Sequence, residues 1–130
     1  MDNELTDRNR LVEGYFAHVE AQKRGEKEDP HFWAVEAMWA LIDRDEDESW
    51  TVLLEMLRRA EGEHMIASIA AGPLEDFIVR YGETFLPRIE SEARTNSKFR
   101  RALVGVWGES RMSEELVLRL RSLVEREPPL

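Results

Sequence analysis

Apolar residues recur at helical spacing along nearly the whole chain, and no stretch alternates apolar and polar positions as a strand would. Leu11, Val12, Tyr15, Phe16 and Val19 form one stripe and predict a first helix from Thr6 to Arg24, ended by Gly25. Lys23 to Asp29 reads as a charged loop. Asp29-Pro30 then reads as N-cap and first helical residue of a second helix. That helix carries Phe32, Trp33, Val35, Met38, Trp39, Leu41 and Ile42, apolar around most of its circumference, which predicts a central position. The acidic run from Asp43 to Glu48 leads to a third helix with Trp50, Val52, Leu53, Leu54, Met56, Leu57 and Ala60, ending at Glu61-Gly62.

Beyond this point the predicted helices shorten. Glu63 to Ala71 is about two turns, broken by Gly72-Pro73. The next carries Leu74, Phe77, Ile78 and Tyr81 and stops at Gly82. Phe85, Leu86, Ile89 and Ala93 mark another, with Pro87 in its first turn. Asn96 or Thr95 caps a helix carrying Phe99, Leu103, Val106 and Trp107, and Gly108 follows it. Ser113 caps the last, with Met112 and Val117 at staple positions and Leu116, Leu120, Leu123 and Val124 as its core stripe. The expectation is an all-α fold of about eight helices in stacked αα-hairpins, either an irregular orthogonal bundle or a short HEAT-like α-solenoid. No linker divides the chain, so residues 1–130 are expected to form a single helical domain.

Composition narrows the function classes. The chain of 130 residues has no cysteine, which excludes disulfides, thiolate metal sites and cysteine nucleophiles. Its acidic start has no apolar core and no run approaches a membrane span, so a soluble, cytoplasmic protein is expected. The net charge of −9 is uneven: residues 1–64 hold 17 acidic and 8 basic side chains, residues 65–130 hold 10 of each. Such a chain is repelled by nucleic acid and anionic membranes and is compatible with a basic protein partner.

Several constellations imitate sites. Asp43-x-Asp45-x-Asp47 copies the start of a calcium loop, but Glu48 stands where the turn needs glycine and Leu54 where a bidentate glutamate belongs. Glu28/His31 and Glu61/His64 have the spacing of di-iron ligands, yet Pro30 and Gly62 interrupt the helices such pairs require. His64 and Ser68 share a helix face without a third orienting group, and the glycines form no phosphate loop. No catalytic residue, metal or cofactor is therefore expected. Arg94, Lys98, Arg100 and Arg101 form a basic cluster without interleaved aromatics, expected to be solvated or to face the acidic first half. Gly72, Pro73, Leu74, Glu75 and Asp76 read as a structural corner, with Gly72 as N-cap, Pro73 first in the helix and Glu75 reaching back to the N-cap amide.

The phrases Ala71-Gly72-Pro73-Leu74-Glu75-Asp76, Tyr81-Gly82, Arg88-Ile89-Glu90 with Ala93, and Phe99-Arg100-Arg101 with Leu103 and Val106-Trp107 resemble an uncharacterised bacterial helical domain family of unknown function. The resemblance implies a small helical protein and supplies no activity. The class expected from charge and size is a non-enzymatic interaction module, for instance an immunity or inhibitor protein covering a basic toxin, with Asp43, Asp45, Asp47 and Glu48 in its binding face. The alternatives are a small enzyme or ligand-binding protein with an interhelical pocket, and a structural homodimer.

Overall fold

The computed structural model describes residues 3–130, with side chains from residue 7 onward. The chain divides into two compact units, residues 1–56 and 57–130. Every regular element among the described residues is helical.

The first unit holds α1 (Asn3–Lys23), α2 (Phe32–Arg44) and most of α3 (Glu46–Arg59). Helices α1 and α2 pack against each other. Val12, Tyr15, Val19 and Ala21 are buried on α1, and Ala34, Met38, Leu41 and Ile42 on α2. Gly25 ends the α1 segment at φ 71°, a left-handed conformation that glycine adopts without strain. Helix α2 starts at Phe32, later than the Asp29-Pro30 signal predicts. The reason is local: the Asp29 carboxylate accepts the His31 amide at 2.9 Å and closes a tight turn of its own before the helix begins.

Nor is α2 sheathed on most of its surface as its composition predicts. Phe32, Trp33 and Trp39 are 42%, 37% and 53% exposed. The acidic run from Asp43 to Glu48 is almost wholly helical. Asp45 alone separates α2 from α3 and caps the latter: its Oδ1 accepts the Glu48 amide at 3.0 Å. Its carbonyl takes both the amide and the hydroxyl of the buried Ser49, at 3.0 and 2.7 Å.

The second unit holds the end of α3, then α4 (Gly62–Ile69), a π-helical turn (Ala70–Leu74), α5 (Glu75–Thr95), α6 (Ser97–Leu103), a 3-10 turn (Glu109–Arg111) and α7 (Glu114–Val124). Helix α4, the π turn and α5 follow one another without a loop across a kink at Gly72, so six helical segments stand among the described residues where about eight are expected. Gly82 and Pro87 lie inside α5 and end nothing. Gly82 is a packing position: a Cβ there would come within 2.8 Å of Leu116 Cδ2 on α7. Pro87 is exposed, where the carbonyl its missing N–H leaves over can bond water. Phe77, Ile78, Phe85 and Ile89 form the buried face of α5, against which α6 and α7 pack. Burying each such side chain contributes about 1.5–3 kcal/mol.

The local caps read from sequence are in place. Asn96 Oδ1 accepts the Phe99 amide at 3.1 Å and Ser113 Oγ the Leu116 amide at 3.2 Å. Helix α6 nevertheless stops at Leu103 and does not reach Val106 or Trp107. Gly105 lets the chain turn away tightly there; a Cβ on it would meet Ala70 Cβ at 2.9 Å.

Candidate functional site

At about 100° per residue, Phe32, Glu36, Trp39 and Asp43 share one face of α2, opposite the buried Met38 and Leu41. All four are exposed. Phe32 and Trp39 meet edge to face, with centroids 5.8 Å apart. Behind them the His18 ring of α1 stands 5.9 Å from Phe32, also edge on, and Tyr15 lies 6.1 Å from His18.

His18 is held in turn by a short hydrogen bond from Nδ1 to Asp29 Oδ2. The desolvation of Asp29 pushes its carboxyl up. The His31 amide and the His18 ring outweigh that and hold it below the ordinary carboxylate range. The exposed aromatic pair thus rests on a fixed side chain of the neighbouring helix. It lies in a unit whose residues 1–56 hold 15 acidic and 6 basic side chains, whereas residues 57–130 balance at 12 of each.

A different side of α2 lines a cleft of 410 Å³ with residues of α1 and α3. Trp33 and Arg44 border it. A Cβ added to Gly14 of α1 would fall 2.5 Å from Trp33 Cζ2, so only a glycine leaves room for the indole there. The Arg10 guanidinium lies 4.9 Å from the centre of that ring, a cation–π arrangement. Across the cleft Arg8 grips Glu48 with two bonds of 2.7 and 2.9 Å.

The four carboxylates of the expected binding face therefore hold different positions. Asp43 lies on the aromatic stripe of α2. Asp45 caps α3, Glu48 is paired with Arg8, and Asp47 is exposed in the first turn of α3.

The Gly72 corner matches its sequence reading in part. Gly72 is non-helical at φ −110° and ψ −107° and forms the expected break, a kink between α4 and α5, with Pro73 and Leu74 buried just after it. Glu75 makes no bond back to the Gly72 amide. Its Oε1 accepts the Trp107 amide at 2.8 Å and its Oε2 the Arg111 guanidinium at 2.7 Å. The side chain at the start of α5 is thus drawn forward to a segment 32 residues away. Burial pushes the neighbouring Asp76 carboxyl up, against the lowering effect of Arg111 and with a further rise from Glu75.

The basic cluster is largely engaged inside its own unit. Lys98 donates to the carbonyls of Arg58 and Ala60 at 3.0 and 2.8 Å, closing the end of α3. Arg100 bonds Glu127 at 3.0 Å and the Ala93 carbonyl at 2.7 Å. Arg101 holds Glu63 through two bonds of 3.0 Å and reaches the Pro129 carbonyl. Among the described residues no three His, Asp or Glu side chains converge to hold a metal ion, and no helix is long and apolar enough to cross a membrane.

Sequence reasoning missed the His18–Asp29 pair, the Gly14 notch and the outward aromatics. The first two are tertiary relations between a helix and its successor, with no periodic signal. The outward aromatics carry the same spacing as core residues and are indistinguishable from them by pattern.

The comparisons with known proteins leave the chemistry open. DUF6869, a family of unknown function, matches residues 20–127. No curated protein and no solved structure matches the chain.

Proposed function

We propose, for a chain that belongs to the DUF6869 family and inherits no assigned activity from it, that it is a protein-interaction module whose partner is a basic protein. An immunity or inhibitor role is the concrete form of this reading. The observation that carries it is the stripe Phe32, Glu36, Trp39 and Asp43: two exposed aromatics alternating with two exposed carboxylates on one helix face.

Aromatic anchors contribute most of the energy in protein interfaces, about 2 kcal/mol or more where buried on binding. Arginine and lysine of a partner suit both members of the stripe, pairing with the carboxylates and stacking on the rings. The −9 charge of the first unit steers such a partner and raises its association rate. The His18–Asp29 support keeps the anchor in place before binding, which lowers the ordering cost.

Charge reversal is placed at Glu36 and Asp43, the two exposed carboxylates of the stripe. A tagged protein from the native host is compared with Trp39→Ala and with Glu36→Lys/Asp43→Lys. The reading expects a basic protein retained by the wild type and lost by both variants. Retention unaffected by either variant, or an acidic partner, would sink it. A dimer in light scattering that dissociates on Trp39→Ala would replace the basic partner with a second copy of this chain.

A further inference from the structure

We infer that the cleft between α1, α2 and α3 is a binding site for a small zwitterion with an apolar body, the chemistry of a large apolar α-amino acid. The site is separate from the α2 stripe and does not rest on the interaction reading. Its 410 Å³ falls in the range of small-molecule sites, about 300–1,000 Å³. The wall is apolar where α2 presents Ala37 and Ala40, whose small side chains leave the space open, and where Leu11, Leu41 and Val52 approach. Trp33 borders it, its ring fixed by the Gly14 notch and the Arg10 guanidinium.

The charges around this wall are of two kinds. Arg8 and Glu48 satisfy each other, and Asp45 accepts a backbone amide. Arg10, Arg44 and Asp7 form no ion pair among the described residues. A guanidinium fork matches a carboxylate with two parallel bonds, and Asp7 matches an ammonium. A simple anion would enter against the field of a unit at −9, and a simple cation would leave both guanidiniums unmatched. A zwitterion meets both signs without adding net charge, and its apolar body meets Trp33 and the alanine wall.

The test is calorimetric titration of the full chain with L-phenylalanine, with 3-phenylpropanoate, which lacks the ammonium, and with 2-phenylethylamine, which lacks the carboxylate. Saturable one-to-one binding of phenylalanine is expected, with each truncated ligand about tenfold weaker or worse. Arg44→Gln keeps a good helix former at an exposed position, so the variant folds, which circular dichroism checks. It is expected to bind phenylalanine about tenfold more weakly, whereas Trp39→Ala on the other face binds as the wild type does. No saturable binding of phenylalanine, equal binding of either truncated ligand, or an unchanged affinity in Arg44→Gln overturns the assignment.

Discussion

The indole of Trp33 rests on Gly14 so closely that a Cβ at position 14 would come 2.5 Å from its Cζ2 and 3.1 Å from Ala34 Cβ. Two effects oppose each other in Gly14→Ala. Alanine raises helix propensity by about 1 kcal/mol. Overpacking against a rigid ring and a buried methyl costs about 1–3 kcal/mol. The second is expected to win, giving a lower urea midpoint and a shifted tryptophan emission. Combining it with Trp33→Leu is expected to recover most of the loss. Additive losses in the double variant would show that the notch does not hold the ring.

Lys98 ties the last carbonyls of α3 through the bonds to Arg58 and Ala60. Lys98→Met keeps the apolar stem and removes the donor. A loss of about 1–2 kcal/mol is expected in urea unfolding, the size of two charge-assisted bonds that water partly replaces.

Glu75 joins the start of α5 to the Trp107–Arg111 segment. Glu75→Gln keeps an acceptor for the Trp107 amide and loses only a half-exposed ion pair, a cost of about 0.2–1 kcal/mol. Glu75→Ala loses both bonds. Limited proteolysis is expected to cut between residues 104 and 112 faster in the alanine variant than in the glutamine variant. Equal cutting rates would show that the carboxylate does not tether this segment.

Two carboxyls shift in opposite directions, and their pH signatures are opposite. The Asp29 carboxyl is held low, chiefly by the His31 amide and His18 once desolvation is overcome. It stabilises the fold above the unfolded value of about 3.9, and that contribution is lost as pH falls through the lower folded value. Asp29→Asn is therefore expected to be less stable than the wild type at neutral pH, with the gap closing as pH falls below about 4. The Asp76 carboxyl is raised, chiefly by burial. Its ionised form disfavours the fold above the raised value, and protonation relieves this as pH falls. Asp76→Asn is expected to be no less stable than the wild type at pH 7, with its advantage fading in acid. Thermal melts from pH 7 to 2.5 on both variants check the two signs.

What the chain discloses about itself divides by distance. The Asn96 and Ser113 caps are legible because each signal and its partner lie three residues apart. The class of fold is legible from the 3.6-residue period. Gly82 and Pro87 mislead because a glycine needed for close packing looks like a helix stop, and a proline on a solvated face like a helix start, until the neighbour is known. The candidate site is less legible still. Asp43 stands out in the acidic run, but its neighbours on the same helix face, Phe32 and Trp39, are assigned inward by periodicity, and only the packing of α1 against α2 reveals which stripe is left outside. Glu75 shows the same limit: its position suits a cap, and a contact 32 residues away claims it instead.

The π turn at Ala70–Leu74 has a consequence for how this segment tolerates insertions and deletions. Gly72 is non-helical there, so the chain kinks between α4 and α5, and the length of the turn helps set how α5 follows α4. Deleting one position between 70 and 72 would rotate everything after it by about 100°. Phe77, Ile78, Phe85 and Ile89 would then turn away from the interior that now buries them. Chain length at the kink is thus as tightly constrained as residue identity in the core.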